Sequence, residues 1–234
     1  MSDAVFVTAS GTEIGKTLVA CALAHQARIA GRAVRVLKPV ATGFDEMNMG
    51  ESDTINLLTA AGIPLTENAV VACTPWRFRE PLAPDMAAAR ENRTIDFGAV
   101  LAHCRAALGE NHLTVIEGVG GTMVPLGGSE TVRDLIAELE VPAVLVAGSY
   151  LGAISHALCA LESLLVRAIP VRGIVVSESV NAPVPLDETC AAIADFSPVP
   201  VIALPRLAAG TRPWEAAPDF SALLGRDANV ARGV

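Results

Sequence analysis

Short runs rich in β-branched residues alternate with longer runs rich in alanine and leucine along most of the chain. The short runs predict strands at Ala4–Thr8, Ala33–Leu37, Thr114–Glu117, Ala143–Ala147, Gly173–Val176 and Val199–Ala203. The longer runs predict helices at Lys16–Ala30, Ser52–Ala61, Phe97–Leu108, Val132–Glu140, Ala153–Val166 and Leu186–Asp195. The strand runs are almost solidly apolar rather than alternating, as in sheets buried on both faces. Strand–helix–strand order repeated along a chain predicts an α/β fold, with a parallel sheet, helices on both faces and right-handed crossovers. No internal repeat or linker interrupts this order, so residues 1–234 read as a single domain. The proline-rich stretch 74–95 reads as a long irregular loop. After Ala208 the pattern weakens, with Trp214 and Phe220 as candidate anchors and a loose end expected.

Composition narrows the function classes. The chain has 234 residues, 52% of them hydrophobic, which is enough for a sizeable core. Its formal net charge is -8, and no cluster of lysine and arginine stands out, so nucleic acid is not an expected partner. No apolar run reaches membrane-spanning length, and no basic residue precedes Lys16. The expectation is a soluble, cytoplasmic protein. The cysteines number five, none in a CxxC pair. Cys21, Cys104, Cys159 and Cys190 lie in helix-like stretches, and buried, reduced thiols are expected.

Chemistry concentrates in a few stretches. "TASGTEIGKT", residues 8–17, lies between the first strand and the first helix. Free N–H groups and the positive helix end cradle phosphates at such a junction. Gly15 would admit the ligand to the backbone, Lys16 would bridge outer phosphates, and the Thr17 hydroxyl would bind Mg²⁺. "LKPVATGFD" puts Lys38 and Thr42 just after the second strand, at the sheet edge where open α/β folds bind ligands. In "TVIEGVGGTMVPL" an apolar strand ends on Glu117, and an acid there needs a polar partner or a metal. In "GESDTIN", Asp53 is either a third oxygen for Mg²⁺ or, with Ser52, a helix cap. The four histidines have no metal-ligand spacing, and no Ser/His/Asp arrangement appears. Electrostatic catalysis around phosphates is therefore expected, rather than a side-chain nucleophile.

Together these stretches resemble the dethiobiotin synthetase family of P-loop NTPases, from about Ala4 to Leu207. Residues 9–17 are similar to that family's longer loop, G-T-x-T-x-V-G-K-T, with Ala9 at the first glycine and Gly11 where an acid is common. "KPVATG", "ESDTINLL", "REPLAPDMAA", "EGVGGTMVPL", "YLGAISHAL" and "RGIVVSES" resemble its further motifs in order and spacing. Asp85 stands there for a histidine, Ser155 for an asparagine, and Ser177 for the asparagine that reads adenine.

The resemblance implies a ligase that builds the ureido ring of dethiobiotin from 7,8-diaminononanoate, CO₂ and MgATP, by way of a carbamate and a carbamic–phosphoric anhydride. It implies catalytic roles for Lys16, Lys38, Thr12 and Glu13. Nucleotide contacts would come from Glu13, Ile14, Gly15, Lys16, Thr17, Leu18, Glu117, Gly118, Val119 and Gly120. Around the base they would come from Ser177, Glu178, Leu204, Pro205 and Arg206. Thr12, Lys38 and Thr42 would hold the diamine, and Thr17, Asp53 and Glu117 would hold Mg²⁺. A homodimer is implied, with Leu151, Gly152 and Ser155 of one subunit meeting the substrate carboxylate in the other. The alternatives are a partitioning-type ATPase switch, whose signature lysine is replaced here by Gly11, and a degenerate nucleotide-binding module.

Overall fold

A computed structural model describes residues 3–45, 52–208, 210 and 212–225. Strand β1 (Ala4–Ala9) leads through helix α1 (Lys16–Ile29) to β2 (Val34–Leu37) and β3 (Val40–Thr42). Then come α2 (Asp53–Ala60), α3 (Glu67–Cys73), β4 (Trp76–Phe78), α4 (Pro84–Arg90) and α5 (Phe97–Ala107). The second half holds β5 (Leu113–Glu117), β6 (Pro125–Gly127), β7 (Glu130–Thr131), α6 (Val132–Leu139) and β8 (Ala143–Gly148). It closes with α7 (Ala153–Val166), β9 (Val171–Ser177), α8 (Leu186–Ala194) and β10 (Val201–Leu204). All six expected strands and all six expected helices are present, with ends moved by a residue or two.

The main sheet has six parallel strands in the order β10-β9-β8-β1-β5-β2. From β1 the chain builds β2 and β5 on one side, then β8, β9 and β10 on the other. Where the order reverses, the carboxyl ends of neighbouring strands open a crevice. Every residue of β1 is buried. Ala4 and Phe6 enter one hydrophobic cluster, while Val5, Val7 and Ala9 enter the other. The twofold alternation of a strand thus feeds a core on each face, and this is why the strand runs are almost solidly apolar, with few polar positions.

The stretch 74–95 is not irregular. It contains β4, which pairs in parallel with β3, and α4, with Pro84 in its first turn. Proline fixes a helical φ there and gives up an N–H that has no partner anyway, so a proline-rich reading concealed a helix start. Helix α3 was also not expected. Its seven residues are too few for a helical period, and it is capped by Thr66, whose Oγ1 accepts from the Ala69 N–H at 3.1 Å.

Cys21, Cys73 and Cys104 are buried, but Cys159 is exposed, contrary to expectation. It lies on the outer face of α7 with Ile154, Ser155 and His156, so only part of that apolar helix faces the core. The tail is anchored as expected. Trp214 and Phe220 are buried, and the Gln26 amide donates to the Pro218 carbonyl (2.7 Å) and accepts from the Phe220 N–H (2.8 Å). The expected loose end, residues 226–234, lies outside the described residues. No helix among the described residues is long and apolar enough to cross a membrane.

Helix α6 starts with a capping box, in which Thr131 and Asp134 each accept from the other's backbone N–H. Arg167 also binds Asp134. Burial alone would raise the Asp134 carboxyl, but Thr131 and Arg167 hold it below its ordinary value. Asp134→Ala is expected to cost about 1 kcal/mol of stability, the usual scale for a lost cap. A folded carboxyl held low stabilises above the ordinary carboxylate range and loses that contribution as the pH falls through its folded value. The gap between wild type and Asp134→Ala in urea titrations should therefore be open at pH 7 and close on acidification. An equal gap throughout would mean that charge has no part in it.

Candidate active site

The loop between β1 and α1 carries the first part of the site. Glu13 has φ 57° and Gly15 φ 93°. Left-handed residues alternating with right-handed ones turn backbone N–H groups to one concave side, which forms a nest for anions. A left-handed glutamate costs local strain, and such strain concentrates at functional loops. At Gly15 a Cβ would stand 2.9 Å from the Ser177 Oγ, so glycine is required twice over. Ala9 raises no such problem, because it is a buried residue of β1 without positive φ. The first glycine of the motif is thus replaced at no conformational cost.

Lys16 and Thr17 open α1. The Lys16 ammonium is buried and reaches back across the loop to donate to the Gly11 carbonyl at 3.0 Å. Burial, then the nearby Lys38 charge, lowers its pKa to about 8. The Thr17 Oγ1 lies 2.8 Å from Asp53 Oδ1 and 2.8 Å from Glu117 Oε1. One hydroxyl proton cannot serve both carboxylates. Lys38 Nζ stands 2.5 Å from Glu117 Oε1, 2.8 Å from Asp53 Oδ2 and 3.2 Å from the Gly118 carbonyl. Burial works against the Lys38 charge, but Glu117 and Asp53 outweigh it and hold its pKa above the ordinary value. Asp53 is pushed up by burial, yet Lys38 and Thr17 bring it below its ordinary value. Glu117 ends β5 at 0% exposure, and burial raises its pKa despite Lys38.

Ser52 caps α2 by accepting from the Ile55 N–H at 3.3 Å, which leaves the Asp53 carboxylate to face Thr17 and Lys38. Glu117 Oε2 is buried with no hydrogen-bond partner. A buried carboxylate oxygen without a partner is costly, and a hard cation would relieve it. A hydroxyl and two carboxylates are the donor set that Mg²⁺ prefers, so the residues present fit that ion.

A cavity of about 610 Å³ lies above these groups. Thr12, Glu13, Gly15, Lys16, Thr17, Lys38, Thr42, Asp53, Val119 and Gly120 all line it, so most of the residues expected at the phosphates and substrate converge. The side chains of Ile14 and Leu18 pack against the core, which leaves only their backbone groups to meet a ligand. Gly118 serves packing, since a Cβ there would press on the Phe6 ring at 2.9 Å. Sequence reading assigned no lining role to Pro81, Leu82, Ala83 or Pro84, nor to Val124. The motif "REPLAPDMAA" was the available signal for four of them. Asp85 itself is exposed at the start of α4, where an acid suits the helix dipole, so a histidine is not required there for packing.

The groups expected around a base also meet. Ser177 pairs with Leu204 across β9 and β10, Glu178 N–H donates to the Leu204 carbonyl (2.9 Å), and Glu178 Oε2 accepts from the Arg206 N–H (2.8 Å). Pro205 lies between them in sequence. Leu151, Gly152 and Ser155 do not line the cavity. They sit exposed at the start of α7, with Leu151 at 87% exposure.

A family model described as an AAA domain matches residues 3–213. An ATP-dependent dethiobiotin synthetase BioD from Methylobacterium nodulans is 46% identical over 208 residues, 86% of this chain and 92% of that protein. The protein of the same name from Acidiphilium cryptum is 47% identical over 186 residues, 79% of this chain and 83% of that one. A solved MinC:MinD cell division protein complex from Aquifex aeolicus matches with a TM-score of 0.51 at 11% identity, over 87% of this chain and 81% of that one, a likeness of fold alone. Identity of this order, sustained over most of both chains, means that the chain belongs to the dethiobiotin synthetase family.

Proposed function

We propose that this protein closes the ureido ring of dethiobiotin, using 7,8-diaminononanoate, CO₂ and MgATP. The observation that carries the reading is the convergence of Lys16, Lys38, Thr17, Asp53 and Glu117 beneath one cavity that also presents Thr12 and Thr42. In this reading one amine of the substrate adds to CO₂ and loses a proton to form a carbamate. A carbamate oxygen attacks the γ-phosphorus, ADP leaves, and a carbamic–phosphoric anhydride remains. The second amine attacks the carbonyl carbon, and phosphate departs with the C–O bond.

The residues divide this work by charge and place. The loop N–H groups around Gly15 and the Lys16 ammonium neutralise charge on the transferring phosphoryl group. Thr17, Asp53 and Glu117 would hold Mg²⁺, which when bound shields phosphate charge. Lys38 starts between the two carboxylates and in this reading would turn toward the carbamate and γ-phosphate. Thr12, Glu13 and Thr42 keep the diamine in line, where proximity lowers the barrier. The start of α7 offers a helix N-terminus and the exposed apolar side chains of Leu151 and Ile154. A second copy would supply it to bind the substrate carboxylate, giving a homodimer. Free buried thiols agree with a cytoplasmic location.

Addition of diaminononanoate and bicarbonate to protein with MgATP should release phosphate and yield a product of dethiobiotin mass. Phosphate release that ignores the diamine would instead favour an ATPase switch. Nucleotide choice gives a second test. A serine hydroxyl at position 177 cannot make the paired planar contact that an amide makes with adenine. Selection among ATP, GTP and CTP should therefore be weak, and Ser177→Asn should favour ATP by roughly 1–3 kcal/mol, the scale of a bidentate base contact. The comparison is kcat/KM for the three nucleotides in both proteins. A wild type already strict for ATP would place base reading elsewhere, at Glu178 or the backbone of Arg206.

A further inference from the structure

The sequence shows no basic cluster, yet folding gathers three arginines around one cavity away from the catalytic groups. Arg77, Arg79 and Arg93, with Phe44, Phe78 and Glu91, line a space of about 320 Å³. The charges there are three guanidiniums and one carboxylate, in a chain whose net charge is -8. Arginine stays protonated at any working pH, so the excess of positive charge is permanent.

Two of the three side chains are held in place. Arg77 stacks on the Phe44 ring at 5.3 Å and donates to the Thr74 carbonyl at 3.1 Å. Arg93 stacks on the Phe78 ring at 4.5 Å and donates to the Arg77 carbonyl at 3.0 Å. Glu91 fixes the rim, with one oxygen accepting from the Arg79 N–H at 2.8 Å and the other from Arg93 at 3.0 Å. Hydrogen bonds from Arg79 and Arg93 hold the Glu91 carboxyl below its ordinary value, so it remains charged without cancelling the surplus. The Arg79 guanidinium donates no hydrogen bond among the described residues and is exposed beside the cavity. Each guanidinium carries five donors, so anchoring leaves most of them free.

We propose that Arg77, Arg79 and Arg93 form a binding site for a small dianionic oxyanion, a phosphate or a dicarboxylate, distinct from the nucleotide site. Stacked guanidiniums with fixed planes suit carboxylate and phosphate geometry, and the ordering of two of them is already complete before a ligand arrives. The cavity is larger than a bare ion needs and falls at the lower end of the range for small organic ligands. It shares no lining residue with the active-site cavity, but the two walls adjoin along the chain. Phe44 N–H donates to the Phe78 carbonyl (2.9 Å) and Gly43 N–H to the Glu80 carbonyl (3.1 Å), one residue from cavity-lining Thr42 and Pro81 respectively.

The test titrates inorganic phosphate and succinate by calorimetry at constant ionic strength, with and without saturating MgADP. The proposal expects one saturable site for at least one of the two anions that persists under MgADP. The tighter of the two identifies the ligand class. Arg79→Gln should weaken binding about tenfold or more, because a charge-assisted hydrogen bond is lost. That substitution removes no anchored contact, so the protein should fold and keep its ligase turnover. Saturation abolished by MgADP, binding indifferent to Arg79→Gln, or equal competition by chloride would each overturn the proposal.

Discussion

Replacing Lys16 with glutamine should lower diamine-dependent phosphate release by about 100- to 1,000-fold, the usual effect of removing one preorganised donor from a developing charge. The protein should remain folded. The Lys16 ammonium is buried, its pKa is lowered to about 8 chiefly by burial, and its one hydrogen bond goes to the Gly11 carbonyl. A group whose charge is disfavoured by its surroundings contributes little to folding, and glutamine can still donate to Gly11. Circular dichroism and urea titration would report an unchanged fold while steady-state assays report the loss. Turnover near the wild-type value would remove Lys16 from the chemistry.

Replacing Lys38 with methionine has a second consequence. Stability should fall by about 3–5 kcal/mol, the cost of leaving a buried charge without its partner. The partner is Glu117, fully buried, with one oxygen 2.5 Å from Lys38 Nζ and the other already unpaired. Asp53 would lose a cation at 2.8 Å as well, but its side chain is 43% exposed and water can compensate. The double variant Lys38→Met with Glu117→Gln should recover much of the lost stability, because no uncompensated charge remains inside, while staying inactive. Urea unfolding of the wild type, both single variants and the double variant forms the cycle that measures the coupling. Additive losses would mean that the two groups do not depend on each other for burial. From the sequence the two lysines look alike, each placed to meet phosphate. Their surroundings in the fold separate them into one that strains against burial and one that burial requires.

Element order was legible because its signals are local. Solid apolar runs mark strands covered on both faces, and the clusters on either side of β1 are their direct result. The phosphate-type loop was legible because Gly15, Lys16 and Thr17 act through a strand–helix junction that the neighbouring residues themselves specify. Glu117 stood out because an acid ending so apolar a strand demands a partner.

What the sequence determined by itself is therefore the parallel α/β plan, the place of the loop on it and the residue types available to the site. The tertiary structure decided everything that depends on distance between remote positions. It assigned capping to Ser52 and freed Asp53 to join Thr17, which lies 36 positions away. It turned the proline-rich stretch into β4 and α4, and so set Pro81–Pro84 against the cavity. It also brought Arg77, Arg79 and Arg93 to one wall, where the sequence shows only scattered cations. Periodicity and propensity are summed over neighbouring residues, whereas Coulomb energy and desolvation act through space and fall off over a few ångströms. Which groups lie within that reach of each other is known only once the chain has folded.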